Sequence, residues 1–138
     1  MPYLLDADWV INTLSGRRRA ADILEQLTSG GVAVSWITVG EIYEQAFRSP
    51  NPTAYIASFN QFLLPFRILG VNGPIMERFA ELRALLRRQG ALIPDFDILL
   101  AATALHYDLT VLTFNFRHLS RIPDLRLYPT EAIEETPA

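Results

Sequence analysis

Short apolar runs alternate along this chain with longer segments of helical period, and that alternation limits the possible folds more than any other feature. Tyr3 to Ala7, Val32 to Ser35 and Thr110 to Thr113 have the length and composition of buried strands. Arg67 to Val71 is a briefer strand or extended link, and Arg126 to Tyr128 is a final strand. Between them lie helical segments. Arg17 to Ser29 carries Ala20, Ile23, Leu24 and Leu27 on one face, with Gly30-Gly31 as its stop. Thr38 to Phe47 is a second helix, and a third opens on Asn51-Pro52 as cap and first position. Gly73-Pro74 opens a helix through Gln89 that Gly90 closes; Asp97 to Tyr107 is another, and Asn115 caps a short turn to Leu119. Strands without a polar face, separated by helices, predict an α/β fold with a parallel sheet covered on both faces. In such sheets ligands bind beyond the carboxyl ends of the strands, near a topological switch point.

Acidic residues fall at those ends. Asp6 closes the run Tyr3-Leu4-Leu5, Glu41 follows the second strand by one helical turn, and Asp95 and Asp97 open the stretch Ile98-Leu99-Leu100-Ala101-Ala102. Carboxylates at the ends of buried segments need partners. Two of them ~4 Å apart repel by about 4 kcal/mol at an effective dielectric near 20. If the fold gathers these acids, a cation must sit among them. With oxygen donors, no cysteine and only two histidines, the donor set suits Mg²⁺ or Mn²⁺ rather than zinc.

Each acid also has a plainer reading. Glu41 stands in capping-box spacing with Thr38. Asp95 serves as a helix cap, and Asp8 as the cap of a helix beginning near Trp9. Asp6 has no local backbone task. His106 reads as a packed histidine; His118, after Asn115, is a candidate for substrate contact.

Composition narrows the function classes. The 138 residues, 50% hydrophobic and 20% charged, make one folded domain, set at 1–130 with a tail over 131–138. The absence of cysteine fits a reducing cytoplasm. No signal peptide and no bilayer-spanning run of ~20 apolar residues is expected, so no membrane partner is either. The net charge of −3 does not draw nucleic acid, yet all twelve basic residues are arginine. Arg87, Arg88 and Arg117 are candidates for phosphate contact, against solvated helix faces as the alternative. Gly-rich phosphate loops and serine-nucleophile elbows are missing. Asp6-Ala7-Asp8 after a strand is similar to the nucleophile motif of haloacid-dehalogenase-type phosphatases, but that chemistry needs a lysine that this chain lacks.

Taken in order, Tyr3-Leu4-Leu5-Asp6-Ala7-Asp8, Ser35 to Ile42, Ile93 to Ala104 and Val111-Leu112-Thr113-Phe114-Asn115 resemble the PIN-domain ribonucleases, specifically VapC-type toxins of toxin–antitoxin pairs. The resemblance implies a PIN-like three-layer α/β/α sandwich around a mostly parallel sheet of four to five strands. It implies a metal-dependent endoribonuclease in which Asp6, Glu41 and Asp97 hold Mg²⁺ or Mn²⁺, with Asn115 where many relatives carry a fourth acid. Thr113 and Asn115 would orient ligands or substrate. Asp95 is a possible stand-in for the fourth acid. Asp8 stands where the family pattern has Asn, and could add a ligand. The implied partners are RNA, a VapB-type antitoxin and a second copy of the chain. The aromatics Tyr55, Phe59, Phe62 and Phe66 are either core or the antitoxin's docking surface. Two alternatives stay open: the phosphatase, and a catalytically silent binding module of the same fold.

Overall fold

The computed structural model describes residues 2–130, so the tail over 131–138 lies outside the described residues. In chain order the elements are β1 (Tyr3–Leu5), α1 (Ala7–Leu14), α2 (Arg18–Thr28), β2 (Val32–Ser35), α3 (Trp36–Phe47), α4 (Pro52–Leu63), β3 (Arg67–Leu69), α5 (Gly73–Arg88), α6 (Asp95–Tyr107), β4 (Thr110–Leu112) and α7 (Phe116–Leu119). The four strands form one sheet in the order β3-β2-β1-β4, and every pairing is parallel. Tyr3 stands opposite Val32 on one side and Thr110 on the other.

Strand alternation divides the core into two layers. Leu4, Ala33 and Val111 point to one face, where they pack with Ile75, Leu82 and Leu86 of α5 and Ile98, Ala101 and Ala102 of α6. Leu5, Val32, Val34 and Leu112 point to the other, with Trp9 and Val10 of α1, Leu24 of α2, Ile42 of α3 and Phe59 of α4. This is the expected three-layer sandwich. Fully burying one such side chain contributes roughly 1.5–3 kcal/mol, so both layers matter to a chain of this size.

The chain runs β1, β2, β3 outward in one direction and then returns to place β4 on the other side of β1. The switch point therefore lies between the carboxyl ends of β1 and β4. Trp9 fixes what stands there. Its Nε1 donates to the Ala20 carbonyl at 3.0 Å, tying α1 to α2. Its ring stacks on Phe114 at 4.6 Å, anchoring the segment after β4.

Several expected boundaries move. Arg126 to Tyr128 forms a single parallel bridge, Leu127 to Val111, with backbone bonds from Val111 N to Arg126 O and Tyr128 N to Val111 O, both 2.9 Å. Pro123 and Pro129 bracket the segment, and neither has an N–H to extend a ladder. α3 begins at Trp36 because the Ser35 hydroxyl caps it, accepting from Ile37 N at 3.1 Å. α6 begins at Asp95, with Pro94 in the cap position. Asn51, Asn72 and Asn115 cap α4, α5 and α7, and Gly90 adopts φ 65° after α5. His106 is exposed, not packed: the last turn of α6 leaves the apolar layer, and Tyr107 and Asp108 are exposed with it. Among the described residues, no helix is long and apolar enough to cross a membrane.

Candidate active site at the switch point

Asp6 follows β1 directly, and burial leaves it 7% exposed. It does have a local task, contrary to expectation. Its Oδ1 accepts from Ala7 N at 2.7 Å and caps α1. Its Oδ2 accepts from the Thr113 hydroxyl at 2.8 Å, across the join between β1 and β4. The same hydroxyl accepts from Asn115 N at 2.9 Å. Thr113 thus holds Asp6 from one side and sets the turn into α7 from the other. Burial pushes the Asp6 carboxyl above its ordinary range, and the Asp97 charge adds to this; the bonds from Thr113 and Ala7 pull the other way.

Asp8 is not a helix cap. It lies in the first turn of α1, and its Oδ2 accepts from Phe114 N at 3.1 Å and lies 3.3 Å from the Thr113 hydroxyl. Thr113 has one hydroxyl proton, and the shorter contact directs it to Asp6. Burial, reinforced by the Asp6 charge, pushes Asp8 up to about 8. A protonated Asp8 can donate to Thr113, so the 3.3 Å contact is then a hydrogen bond in the opposite sense. Its Oδ1 is buried without a hydrogen-bond partner.

Glu41 stands on α3 and is free of the capping box. Ser35 already caps that helix, and the Thr38 hydroxyl is buried without a partner. Burial raises the Glu41 carboxyl to about 7, with further contributions from the charges of Asp6, Asp97 and Glu44, in that order. Asp6 and Asp97 therefore act on Glu41, and Asp97 acts on Asp6: the three acids share one electrostatic neighbourhood.

Asp97 points inward from the first turn of α6, its side chain 16% exposed. Its Oδ2 accepts from Asn115 Nδ2 at 3.2 Å and lies 3.0 Å from His118 Nδ1. Asp95 turns away. It caps nothing and pairs with Arg83 Nε at 2.8 Å, its side chain 60% exposed. As N1 and N3 of one helix the two residues stand about 160° apart around its axis, so Asp95 reaches only the rim of the cleft, where Arg83 holds it.

Together Glu41, Pro94, Asp95, Phe96, Asp97, Asn115 and His118 line an open cleft of about 440 Å³. Among the described residues, no three acidic or imidazole groups already converge tightly enough to hold an ion as they stand. Both oxygens of Asp6 and one of Asp97 are turned to protein donors. The donor chemistry nonetheless fits a hard divalent ion. The charge of Asp97 raises Asp6, and the charges of Asp6 and Asp97 raise Glu41; a cation among them removes that repulsion, and Mg²⁺ takes few carboxylates and keeps several waters. Of the three arginines singled out for phosphate, only Arg117 belongs to an element lining the cleft. Arg87 and Arg88 end α5, where they answer the helix dipole. Asp8 and His118 were the residues sequence spacing placed poorly. Their partners lie 105 and 21 positions away in the chain.

The aromatics of α4 and the turn after it divide between the two readings. Phe59 is core, with Tyr43 edge-on at 5.8 Å. Phe66 instead lines a surface groove of about 350 Å³ with Trp36, Tyr43, Leu63 and Leu64.

Residues 3–125 match the PIN domain family. The chain is 34% identical to Ribonuclease VapC2 of Haemophilus influenzae over 128 residues, covering 91% of this chain and 96% of the relative. It is 25% identical to the tRNA(fMet)-specific endonuclease VapC of Shigella flexneri, covering 91% and 96%. Among solved structures it is similar to DNA-bound VapBC from Salmonella typhimurium, with TM-score 0.86, 26% identity and coverage of 93% and 97%. It is also similar to VapBC-1 from nontypeable Haemophilus influenzae, with TM-score 0.82, 26% identity and the same coverage.

Proposed function

We propose, from the premise that this chain belongs to the PIN-domain family, that it is the ribonuclease toxin of a VapBC-type pair, hydrolysing RNA with Mg²⁺ or Mn²⁺ held by Asp6, Glu41 and Asp97. Family membership, with 34% identity to a VapC ribonuclease along nearly the whole length, supports the nuclease. The observation that supports the assignment of residues is that the charge of Asp97 reaches Asp6, and the charges of both reach Glu41, beside the switch point.

The ion, when bound, supplies an activated water at neutral pH and offsets charge on the phosphodiester. The chain's own residues do the positioning. Thr113 fixes Asp6, and the Trp9–Phe114 stack fixes the segment that carries Thr113 and Asn115. Phe96 and Pro94 form an apolar wall of the cleft, against which a nucleotide can lie. Arg117, exposed on α7, takes a phosphate as a bidentate guanidinium. The phosphatase reading keeps no support: it lacks its lysine, and both acids of Asp6-Ala7-Asp8 are bound to the segment after β4.

The partners follow the same reading. A VapB-type antitoxin segment lays apolar side chains in the groove of Trp36, Leu64 and Phe66 and places a basic side chain in the acidic cleft. The toxin acts as a homodimer in the cytoplasm. One relative's name points to initiator tRNA, which heads the panel of structured RNAs to test. Incubation of that panel with the purified chain and Mg²⁺ or Mn²⁺ gives discrete cuts that EDTA abolishes. A folded chain that cuts no RNA with either ion, and arrests no growth when expressed without its neighbouring reading frame, contradicts the proposal.

A further inference from the structure

Two donors converge on a single oxygen of Asp97. Asn115 Nδ2 lies 3.2 Å and His118 Nδ1 lies 3.0 Å from Oδ2, while the two nitrogens stand 3.2 Å apart. Asn115 is oriented by the backbone: its Oδ1 accepts from His118 N at 3.4 Å as the cap of α7, which turns Nδ2 toward Asp97. A carboxylate oxygen beside His118 Nδ1 requires a proton on that nitrogen. The imidazole therefore donates through Nδ1, and the contact between the two nitrogens is a juxtaposition of donors with a common acceptor. Among the described residues, none donates to Asp97 Oδ1. Asp97 thus has one oxygen held by two donors and one that accepts from none of the described residues.

We infer that His118 is a positioning residue. Together with Asn115 it holds Asp97 Oδ2 and turns Oδ1 alone toward the cation, so that the imidazole sets how well the site binds metal without touching it. This rests on Asp97 being a ligand, as proposed above. Hydrogen-bonding partners fix the orientation and basicity of ligating side chains, and their loss typically weakens metal affinity by about 10–100-fold. α7 is a single turn of four residues, and its cap also orients the second donor. The short helix therefore works as a clasp on Asp97, although it lies some twenty residues away in sequence.

The two ring nitrogens allow a sharp test. Asparagine places its amide nitrogen near the position of Nδ1, and glutamine places its amide nitrogen near that of Nε2. Mn²⁺ affinity is measured by calorimetry on the full chain without RNA, for wild type, His118→Ala, His118→Asn, His118→Gln and Asp97→Asn, with a thermal melt of each metal-free protein as the folding control. His118 is partly exposed, so all three substitutions at that position should fold. The expected result is a loss of roughly 10–100-fold in Mn²⁺ affinity for His118→Ala, recovery of most of it in His118→Asn, and none in His118→Gln. RNA cleavage by the three His118 variants keeps its KM for RNA, and at limiting Mn²⁺ its rate follows the fraction of protein loaded with metal, returning to near the wild-type rate at saturating Mn²⁺. Unchanged or tighter Mn²⁺ binding by His118→Ala overturns the inference. Recovery in His118→Gln rather than His118→Asn also overturns it, since it would make Nε2 the working atom. If wild type itself binds no Mn²⁺, or Asp97→Asn binds as wild type does, the metal assignment fails and this inference fails with it. If those controls behave and only the His118 series does not, the metal assignment stands alone.

Discussion

Two aspartate pairs with the same spacing open two helices of this molecule, and they end in opposite circumstances. Asp6 and Asp8 both turn inward at the start of α1, toward the segment after β4. Asp95 and Asp97 part company at the start of α6: Asp97 enters the cleft, and Asp95 meets Arg83 at the surface. The difference is one residue of register. Asp6 is an extended cap and Asp8 the second helical residue, so both lie on the sheet side. Asp95 and Asp97 are already the first and third residues of their helix, so about 160° separates them around its axis. Equal spacing in sequence thus yields a buried pair in one place and a split pair in the other. Where the helix starts decides which acids are available for chemistry.

The largest expected effect comes from the inward acids. Asp6→Asn should cut cleavage by at least about a hundredfold, since losing a ligand exceeds the cost of losing its hydrogen-bond partner. Single-turnover cleavage of one RNA measures it. Retention of the α1 cap by the amide keeps this variant folded.

Next comes Thr113→Val. It leaves Asp6 Oδ2 and Asn115 N without their shared partner. A loss of about 1–3 kcal/mol, the range for a buried polar group left unsatisfied, should appear in urea unfolding. An unchanged midpoint would remove Thr113 from its central place.

The third prediction concerns pH and the buried pair. An unfolded aspartate ionises near 3.9, whereas folded Asp8 does so at about 8. Between those values the folded chain binds a proton that the unfolded chain does not. Stability of the metal-free protein therefore falls as pH rises through that window, and Glu41, raised to about 7, adds to the fall. Asp8→Asn should flatten the profile and raise the melting temperature at pH 8. A steeper fall in Asp8→Asn than in wild type would reverse the account of that pair.

The smallest effect belongs to the surface pair. Arg83→Ala or Asp95→Asn should shift stability by less than about 1 kcal/mol, because an exposed ion pair contributes little.

How much of this was legible in the chain follows from the range of each interaction. The alternation of Tyr3-Leu4-Leu5, Val32 to Ser35 and Thr110 to Leu112 with helices predicted the layered parallel sheet, because period and burial are local signals. The caps Asn51 and Asn115 were legible for the same reason. The capping box of Thr38 and Glu41 misled, because Ser35 claims the helix start three residues earlier. Asp95 misled because Pro94 already occupies the cap position. The tasks of Asp8 and His118 could not be read locally. One depends on β1 and β4 lying side by side, which brings Asp8 to Thr113 across 105 positions, the other on α7 folding back over α6. The Arg126 to Tyr128 strand shrank to one bridge under the two prolines around it.

The comparison of the two acid pairs is tested most directly by one cleavage assay with Mg²⁺, in which wild type, Asp97→Asn and Asp95→Asn act on the same RNA at equal protein concentration. The account predicts that Asp97→Asn loses cleavage by about a hundredfold or more while Asp95→Asn cuts at nearly the wild-type rate. Equal activity in wild type and Asp97→Asn, or an equal loss in both variants, would contradict it.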